Sequence, residues 1–583
     1  MKEIKLTVLA SVIMSALLTA CGGGGGSGGA SAVNGAGGSP SAAFHQRSSS
    51  GLEVGMLDCA GASCKVPASG GAALSGSVYR YSNATNRDQT IQLAGPVTSA
   101  WQAEFVRISG GDTSTQFRMA GANLRGASSA AADRLEAESQ AVLNAVAKNS
   151  RDGALQRLQL QHSAKLSGAQ AALQQQAYAL GDARTWHDMD GDSPTTLKAV
   201  RDLPNGGGKV YVWGQSGLDV AVSNAQADAL AERFAGSVYP LEASVVSEPW
   251  GNDIHPGWRS LALPGDTKDV HLVLSRLNDP AKSSGSRLLG YVRWTNALLA
   301  SAASSLCQGD AECADVIGKS NQALATFIDL DTFAKADSPG NWSMKDNGPS
   351  LALSTMAHEY LHVLYAYNKI LRQKPGSPSG TVWENELAAQ TMGYLVSADT
   401  YTGGRGRDAN SHPDLRPRGD FEQFLNKPAC NLKGWSVAAE NYTCYPKALA
   451  LGMQMLHQFG PGVMKPWVTG SSTGERALND GLRAVGGGDY SSLLQRLTTT
   501  LSLGALSQDV AGFGFPAKTI TLAANQYFPL GKDLQLPAVR FQAGEVGWGS
   551  DRGQETWRQP LAVSRGVARI TVPANSHLLL VKP

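Results

Sequence analysis

Charge of one sign is scarce in this chain. Lys and Arg number 50 against 48 Asp and Glu, a formal net charge of +2, and 17% of all residues are charged. That balance supplies no extended positive field to hold a nucleic-acid backbone, so the reading carries no nucleic-acid partner. Long apolar runs are equally scarce. The one near the start, residues 6–18, is too short to span a bilayer, and no later segment reaches spanning length. Cysteine is sparse, 7 in 583 residues, and no CxxC spacing occurs, which argues against a zinc cluster of the ribbon type. No Gly-x-Ser-x-Gly elbow stands between a predicted strand and a predicted helix, where a serine hydrolase would need its nucleophile.

What is present begins with an address. Lys2 and Lys5 precede the apolar run, which ends in Leu18-Thr19-Ala20-Cys21. Residues 1–20 read as a secretory signal, and their ending resembles the lipobox of bacterial lipoproteins, in which Cys21 becomes the lipidated first residue of the mature chain. Behind it, residues 22–51 are nearly all Gly, Ser and Ala, a composition that buries too little apolar area to fold. Residues 21–51 are therefore expected to be a flexible tether. The expected location is the bacterial cell envelope, with a membrane as partner through the lipid; Gly22 after the lipid cysteine resembles outer-membrane sorting. The six other cysteines fall into near neighbours, Cys59 with Cys64, Cys307 with Cys313 and Cys430 with Cys444, and three short-loop disulfides suit an oxidising compartment.

Pattern divides the remainder. Strand-like pieces separated by turn signals fill 52–127, and Ala, Gln, Leu and Arg without Pro make 128–184 helical, either a linker or a prosegment. Residues 185–348 alternate strands, at 209–213, 271–277, 290–294 and 325–330, with a helix over 224–238. Helices dominate 349–505, and short strands return over 506–583. The expected fold is multidomain α+β: a mixed-sheet subdomain and a helical subdomain, flanked by N- and C-terminal β-sandwich-like modules.

The chemistry lies in the helical part. Thr355-Met-Ala-His358-Glu359-Tyr-Leu-His362 carries the HExxH pattern. Residues four apart share a helix face, so His358 and His362 can aim at one metal ion, with Glu359 beside them to take a proton from the attacking water. The chain has 10 His and 17 Glu, and random placement predicts about 0.005 such strings. Leu353, Met356, Ala357, Tyr360, Leu361, Leu364 and Tyr367 form a broad apolar face with the histidines at its edge. A catalytic zinc takes three protein ligands, so a third donor is needed. Downstream, Thr381-Val-Trp-Glu384-Asn-Glu386 opens another apolar-periodic helix. Thr381 and Glu384 fit a capping box, which gives Glu384 a structural task. Glu386 stands about 200° around the helix from it, so the two cannot share a face. Glu386 is the assigned donor and Glu384 the second candidate.

HExxH followed 24 residues later by Asn385-Glu386 resembles the gluzincin metallopeptidases such as thermolysin. Met356-Ala-His-Glu-Tyr, Trp383-x-Asn385-Glu386, Val238-Tyr-Pro, Glu248-Pro-Trp-Gly, and Ser320-Asn before Thr326-Phe-Ile-Asp are more similar to the hyicolysin family of neutral zinc metallopeptidases. The resemblance runs over residues 185–503. Leu387 stands where that family usually has Gly, and Gln390 where thermolysin has Asp. The resemblance implies a gluzincin-like core holding one catalytic Zn²⁺ on His358, His362 and Glu386. It further implies Glu359 as general base and protein or peptide as substrate. Related enzymes add a Tyr or His that stabilises the oxyanion; Tyr445 and His457 are the candidates, with packing in a helical core as the alternative for both. Residues 325–331 resemble the edge strand that receives an extended substrate, or are an ordinary core strand.

Asp188, Asp190 and Asp192, alternating before a Gly turn, form half of a calcium loop or a solvated acidic turn. His187, His255, His271, His412 and His577 have no metal spacing and read as surface or core histidines. Two other functions stand beside a zinc endopeptidase: a surface binding or adhesive lipoprotein that keeps the scaffold with little or no turnover, and a metal-dependent hydrolase acting on another bond.

Overall fold

In a computed structural model of the chain, the described residues are 46–47, 52–66, 77–95, 97–108, 129–151, 167–170, 173, 177–189, 191–278, 288–401, 431–434, 444–504, 507, 510–516, 518–522, 525–530, 556–565 and 567–582. Cys21, Asp190, His412 and Cys430 lie outside them, as does the expected tether 21–51 apart from Gln46–Arg47, which is a short strand paired with Glu53–Met56 rather than free chain.

A six-stranded mixed sheet carries the α/β part. Its order is Gly290–Val292, Leu324–Asp329, Val270–Ser275, Lys209–Gln215, Gly191–Asp202 and Ala183–Asp188. The middle three run parallel, Val210 opposite Val270 and Val270 opposite Leu324, while Gly290–Val292 and the hairpin of the last two strands run antiparallel. Leu324–Asp329 is buried at every position, as a strand covered on both faces must be. It is therefore internal. The edge expected at 325–331 belongs instead to Gly290–Val292, which pairs outside it. Helix Asn224–Arg233 begins on a capping box from Ser223 and Gln226, then continues through a π turn, Phe234–Val238, into Tyr239–Val245.

Both chain ends build one sandwich. Its larger sheet runs Gln46–Arg47, Glu53–Met56, Val78–Asn83, Ser576–Val581, Gln102–Arg107 and Thr556–Pro560, so a C-terminal strand lies between two N-terminal ones. The second sheet mixes the ends in the same way, with Val567–Val572 paired to Gln89–Ala94. Tyr79, Ile91, Phe105, Ile570, Leu578 and Leu580 share its core. The two separate modules expected at 52–127 and 506–583 are thus corrected to one. The physical reason is the strand Ser576–Val581, which is buried on both faces: Leu578 and Leu580 enter the sandwich core, Leu579 and Val581 the main core. Between them, Lys518–Leu522 and Asn525–Leu530 form a separate two-stranded ribbon.

Helix Ser129–Arg151 docks on the segment that follows Gly290–Val292 and on helices Ala303–Cys307 and Ala311–Gly318. Trp294 Nε1 donates to Ser139 Oγ (2.7 Å), Asn149 Nδ2 donates to the Leu306 carbonyl (2.5 Å), and Arg293 pairs with Glu138 at 3.2 Å. Val142, Ala145 and Val146 join the main core. Disulfides close Cys59 to Cys64 and Cys307 to Cys313. Cys444 is also disulfide-bonded, and its expected partner Cys430 is not among the described residues. Among the described residues no helix is long and apolar enough to cross a membrane.

A chain ending at residue 517 loses Ser576–Val581 from between Val78–Asn83 and Gln102–Arg107. Leu578, Leu579 and Leu580 are each fully buried, and each contributes about 1.5–3 kcal/mol. Limited trypsinolysis with mass spectrometry is expected to cut this truncated chain at Arg80 or Arg107 under conditions that spare those sites in the full chain. Protection of those sites in the truncated chain would show that the N-terminal strands fold alone.

Candidate metal centre

The HExxH segment lies on helix Asn347–Ala366, continued by a π turn, Tyr367–Leu371. Every residue from Ala352 to Leu371 is buried, so the helix is a core helix on all sides rather than an amphipathic one with histidines at the edge of an apolar face. The helix that carries Glu384 and Glu386 is Val382–Tyr401, which packs on it and on Cys444–Phe459. Gly452 makes the second contact close: a Cβ there would stand 2.4 Å from Thr391 Oγ1.

Four side chains converge. His358 and His362 meet edge to face, ring centroids 4.8 Å apart, with their Nε2 atoms separated by 3.2 Å. Glu386 Oε2 lies 3.2 Å from His358 Nε2, and Glu386 Oε1 lies 3.7 Å from His362 Nε2. His358, Glu359 and His362 also offer ligand atoms that all fall within 4.8 Å of one another. All four residues are buried. Two nitrogens bound to one tetrahedral zinc at about 2.1 Å stand about 3.4 Å apart, so the observed spacing fits such an ion.

Electrostatics point the same way. His362 Nδ1–H donates to Asn385 Oδ1 at 2.9 Å, which turns the lone pair of Nε2 toward Glu386. Burial pushes the His362 imidazole down to about 4, against the pull of that hydrogen bond, so the ring is held neutral as a metal ligand must be. Burial, and then the Glu359 charge, raise the Glu386 carboxyl, whose oxygens have no hydrogen-bond donor among the described residues. A carboxylate stripped of water and of donors is costly to ionise. A divalent cation between it and the two imidazoles removes that cost, and this donor set fits zinc.

The edge strand reaches the same place. A Cβ on Gly290 would meet Thr355 Cγ2 at 2.8 Å, the Phe327 carbonyl at 2.9 Å and Glu359 Cγ at 3.1 Å. Only a glycine lets Gly290–Val292 lie this close to Glu359. Tyr445 is buried with its ring centroid 6.4 Å from that of His358. His457 is elsewhere engaged: its Nε2 contacts the Tyr394 hydroxyl at 2.7 Å and its Nδ1 donates to the Pro516 carbonyl at 2.9 Å. It is a core histidine.

Glu384 faces away from the histidine pair. Its Oε1 is 3.8 Å from Lys369 Nζ, its Oε2 accepts the Gly474 N–H, and the Thr381 N–H also reaches it. The capping box is half made, because the buried Thr381 hydroxyl has no hydrogen-bond partner among the described residues. At the acidic turn, Asp188 Oδ1 accepts from the Tyr291 hydroxyl (2.6 Å) and the Met189 N–H (2.5 Å), whereas Asp192 pairs with His187 at 2.6 Å. The two described carboxylates thus serve different partners.

The orienting task of Asn385 and the close approach of Gly290 escape sequence reasoning. Asn385 carries a signal, a polar residue beside the ligand glutamate inside an apolar helix. Replacing it by the near-isosteric Leu is expected to weaken zinc affinity by about 10- to 100-fold, read by chelator competition. Unchanged affinity would show that the His362 ring holds its orientation without it.

Comparison with known families agrees with this geometry. The family model described as Peptidase M30 matches residues 190–528, from the hairpin of the mixed sheet through both metal-site helices. No curated protein matches the chain. With more than half of its length matched, the chain belongs to the peptidase M30 family, a family of metallopeptidases.

Proposed function

We propose that this protein is a zinc endopeptidase in which His358, His362 and Glu386 hold the metal and Glu359 is the general base. The observation that carries the reading is the convergence of both histidine Nε2 atoms with the Glu386 carboxylate, at 3.2 and 3.7 Å, in a space closed to solvent. Glu359 also belongs to the buried cluster. Of the two carboxylates, Glu386 is the better third donor because one oxygen faces each imidazole, which leaves Glu359 for proton transfer.

Bound there, zinc supplies a Lewis acid that polarises the scissile carbonyl and acidifies water toward neutral pH. Glu359 takes the proton of the attacking water and delivers it to the leaving amine. Asn385 keeps the His362 ring in one tautomer and one orientation throughout. Gly290–Val292, an edge strand of the mixed sheet among the described residues, passes against Glu359 and is the strand proposed to align an extended peptide. Tyr445 is the hydroxyl proposed to donate to the developing oxyanion. The lipobox ending at Cys21 supports a lipid-anchored enzyme acting on proteins of the cell envelope or its surroundings.

In full-length protein, Glu359→Gln is expected to retain one zinc per chain and to lose about 10²- to 10⁴-fold in hydrolysis of an unfolded protein. Glu386→Ala is expected to lose zinc and activity together. Wild type that binds zinc yet cleaves no unfolded protein would return the reading to a surface binder or to a hydrolase for another bond.

Cys21→Ser expressed in a bacterial host is expected to move the protein from the detergent-extracted membrane fraction to the soluble exported fraction. Retention in the membrane fraction would sink the lipid-anchor reading.

A further inference from the structure

The geometry points to Lys369 and Glu384 as a positioning pair that fixes the first turn of helix Val382–Tyr401, and through it the metal donor Glu386 and the orienting Asn385. This rests on the functional reading above. Lys369 is fully buried in the π turn that continues the HExxH helix. Its ammonium donates to three backbone carbonyls, Trp467 (2.7 Å), Gly470 (3.0 Å) and Ser472 (2.5 Å), and stands 3.8 Å from Glu384 Oε1. Its donors are thus spent on the end of helix Met464–Thr469 and on the loop that joins it to helix Gly474–Ala484. Glu384, also fully buried, accepts the N–H of Gly474, the first residue of the second of those helices. The Tyr365 hydroxyl lies against the same carboxylate. The pair therefore joins three backbone segments: the end of the HExxH helix, the start of the ligand helix and the 467–474 loop.

Its place in the chain gives it leverage. Glu384 immediately precedes Asn385, whose amide oxygen holds His362, and Asn385 immediately precedes Glu386, whose oxygens face both imidazoles. The first turn of a helix has no internal acceptors for its N–H groups and is the part that frays. A buried ion pair is weak as a stabilising device, since apolar residues of equal volume hold two helices together as well or better. What directed hydrogen bonds add is a fixed rotation and register, and a metal site needs its donors held within about 0.5 Å.

The test uses full-length protein with zinc alone as probe. Glu384→Gln, Lys369→Met and the double variant are compared with wild type by chelator competition for zinc, by melting of the metal-free forms, and by the visible spectrum of the cobalt-substituted forms. Glu384→Gln is expected to lower zinc affinity by about 10- to 100-fold, as loss of a supporting contact to a metal ligand does, and to alter the cobalt spectrum. The double variant leaves no buried charge unpaired, so its metal-free form is expected to melt higher than the Lys369→Met form. Its zinc affinity is expected to stay low. If zinc affinity recovers together with stability in the double variant, or if Glu384→Gln binds zinc within about twofold of wild type, the pair serves the fold alone and the assignment fails. If Lys369→Met does not fold, the Glu384→Gln and double variants decide by the same readouts. Wild type that binds no zinc would instead overturn the functional reading, and this assignment with it.

Discussion

Two carboxylates, Glu359 and Glu386, share a dry space with two imidazoles, and none of the four side chains is more than 1% exposed. With the imidazoles neutral, the site carries up to two negative charges that water does not screen, and burying even one carboxylate unpaired is prohibitive. A dication held there would cancel that charge and turn a destabilising cluster into a stabilising one. Much of the surrounding architecture follows from excluding water here. The HExxH helix is buried on all faces, Gly452 lets the third helix approach Thr391, and Gly290 lets the edge strand cover Glu359. The same exclusion strengthens every electrostatic contact that a substrate carbonyl would make inside.

The sandwich built from both chain ends meets the helical body through a seam of satisfied polar groups. Glu104 is fully buried on the outward face of Gln102–Arg107, where Arg558 donates to it at 2.8 Å through Nε and again through Nη2, and the Ser502 hydroxyl donates to it from helix Tyr490–Leu503. Arg80 Nη1 donates to Gln495 Oε1 at 2.7 Å on the same helix. A seam of this kind ties the orientation of the sandwich to the helix it touches, because a slip of one residue would strand buried charge. On the far side, helix Ser129–Arg151 grips the segment just after the edge strand through Arg293 and Trp294. Elements outside the family-matched span thus brace both flanks of the metal-bearing core.

The buried His-Glu-His cluster was legible because its motif is local. HExxH and the two downstream glutamates are short strings whose meaning follows from the helical period, and the strands expected at 209–213, 271–277, 290–294 and 325–330 appear as Lys209–Gln215, Val270–Ser275, Gly290–Val292 and Leu324–Asp329. What stayed hidden is non-local. Nothing in residues 576–581 announces that they lie between strands 78–83 and 102–107, since the run Ser-His-Leu-Leu-Leu-Val shows hydrophobicity but not its partners. Order along the sheet was hidden for the same reason, which is why the inner strand Leu324–Asp329 read as a possible edge. The hairpin Ala183–Asp202 leaves a faint trace in the sequence, because the buried face of its second strand is Ser193, Thr195, Leu197 and Ala199, which alternates only weakly in hydrophobicity.

The two glutamates show how one helical hairpin assigns opposite tasks to similar residues. The HExxH helix and the ligand helix run antiparallel, so later residues of the first meet earlier residues of the second: His358 meets Glu386, His362 meets Asn385, and Lys369 meets Glu384. This ladder depends on the connection between the helices. Gly380 adopts φ +102, and a Cβ there would lie 2.1 Å from the Tyr365 hydroxyl, so the chain turns back at a point that only glycine permits. Moving the turn by one residue would rotate the second helix by about 100° and carry Glu386 off the imidazoles. The spacing of 24 residues between His362 and Glu386 is thus a consequence of where the hairpin closes, and Lys369 with Glu384 is the rung at its mouth.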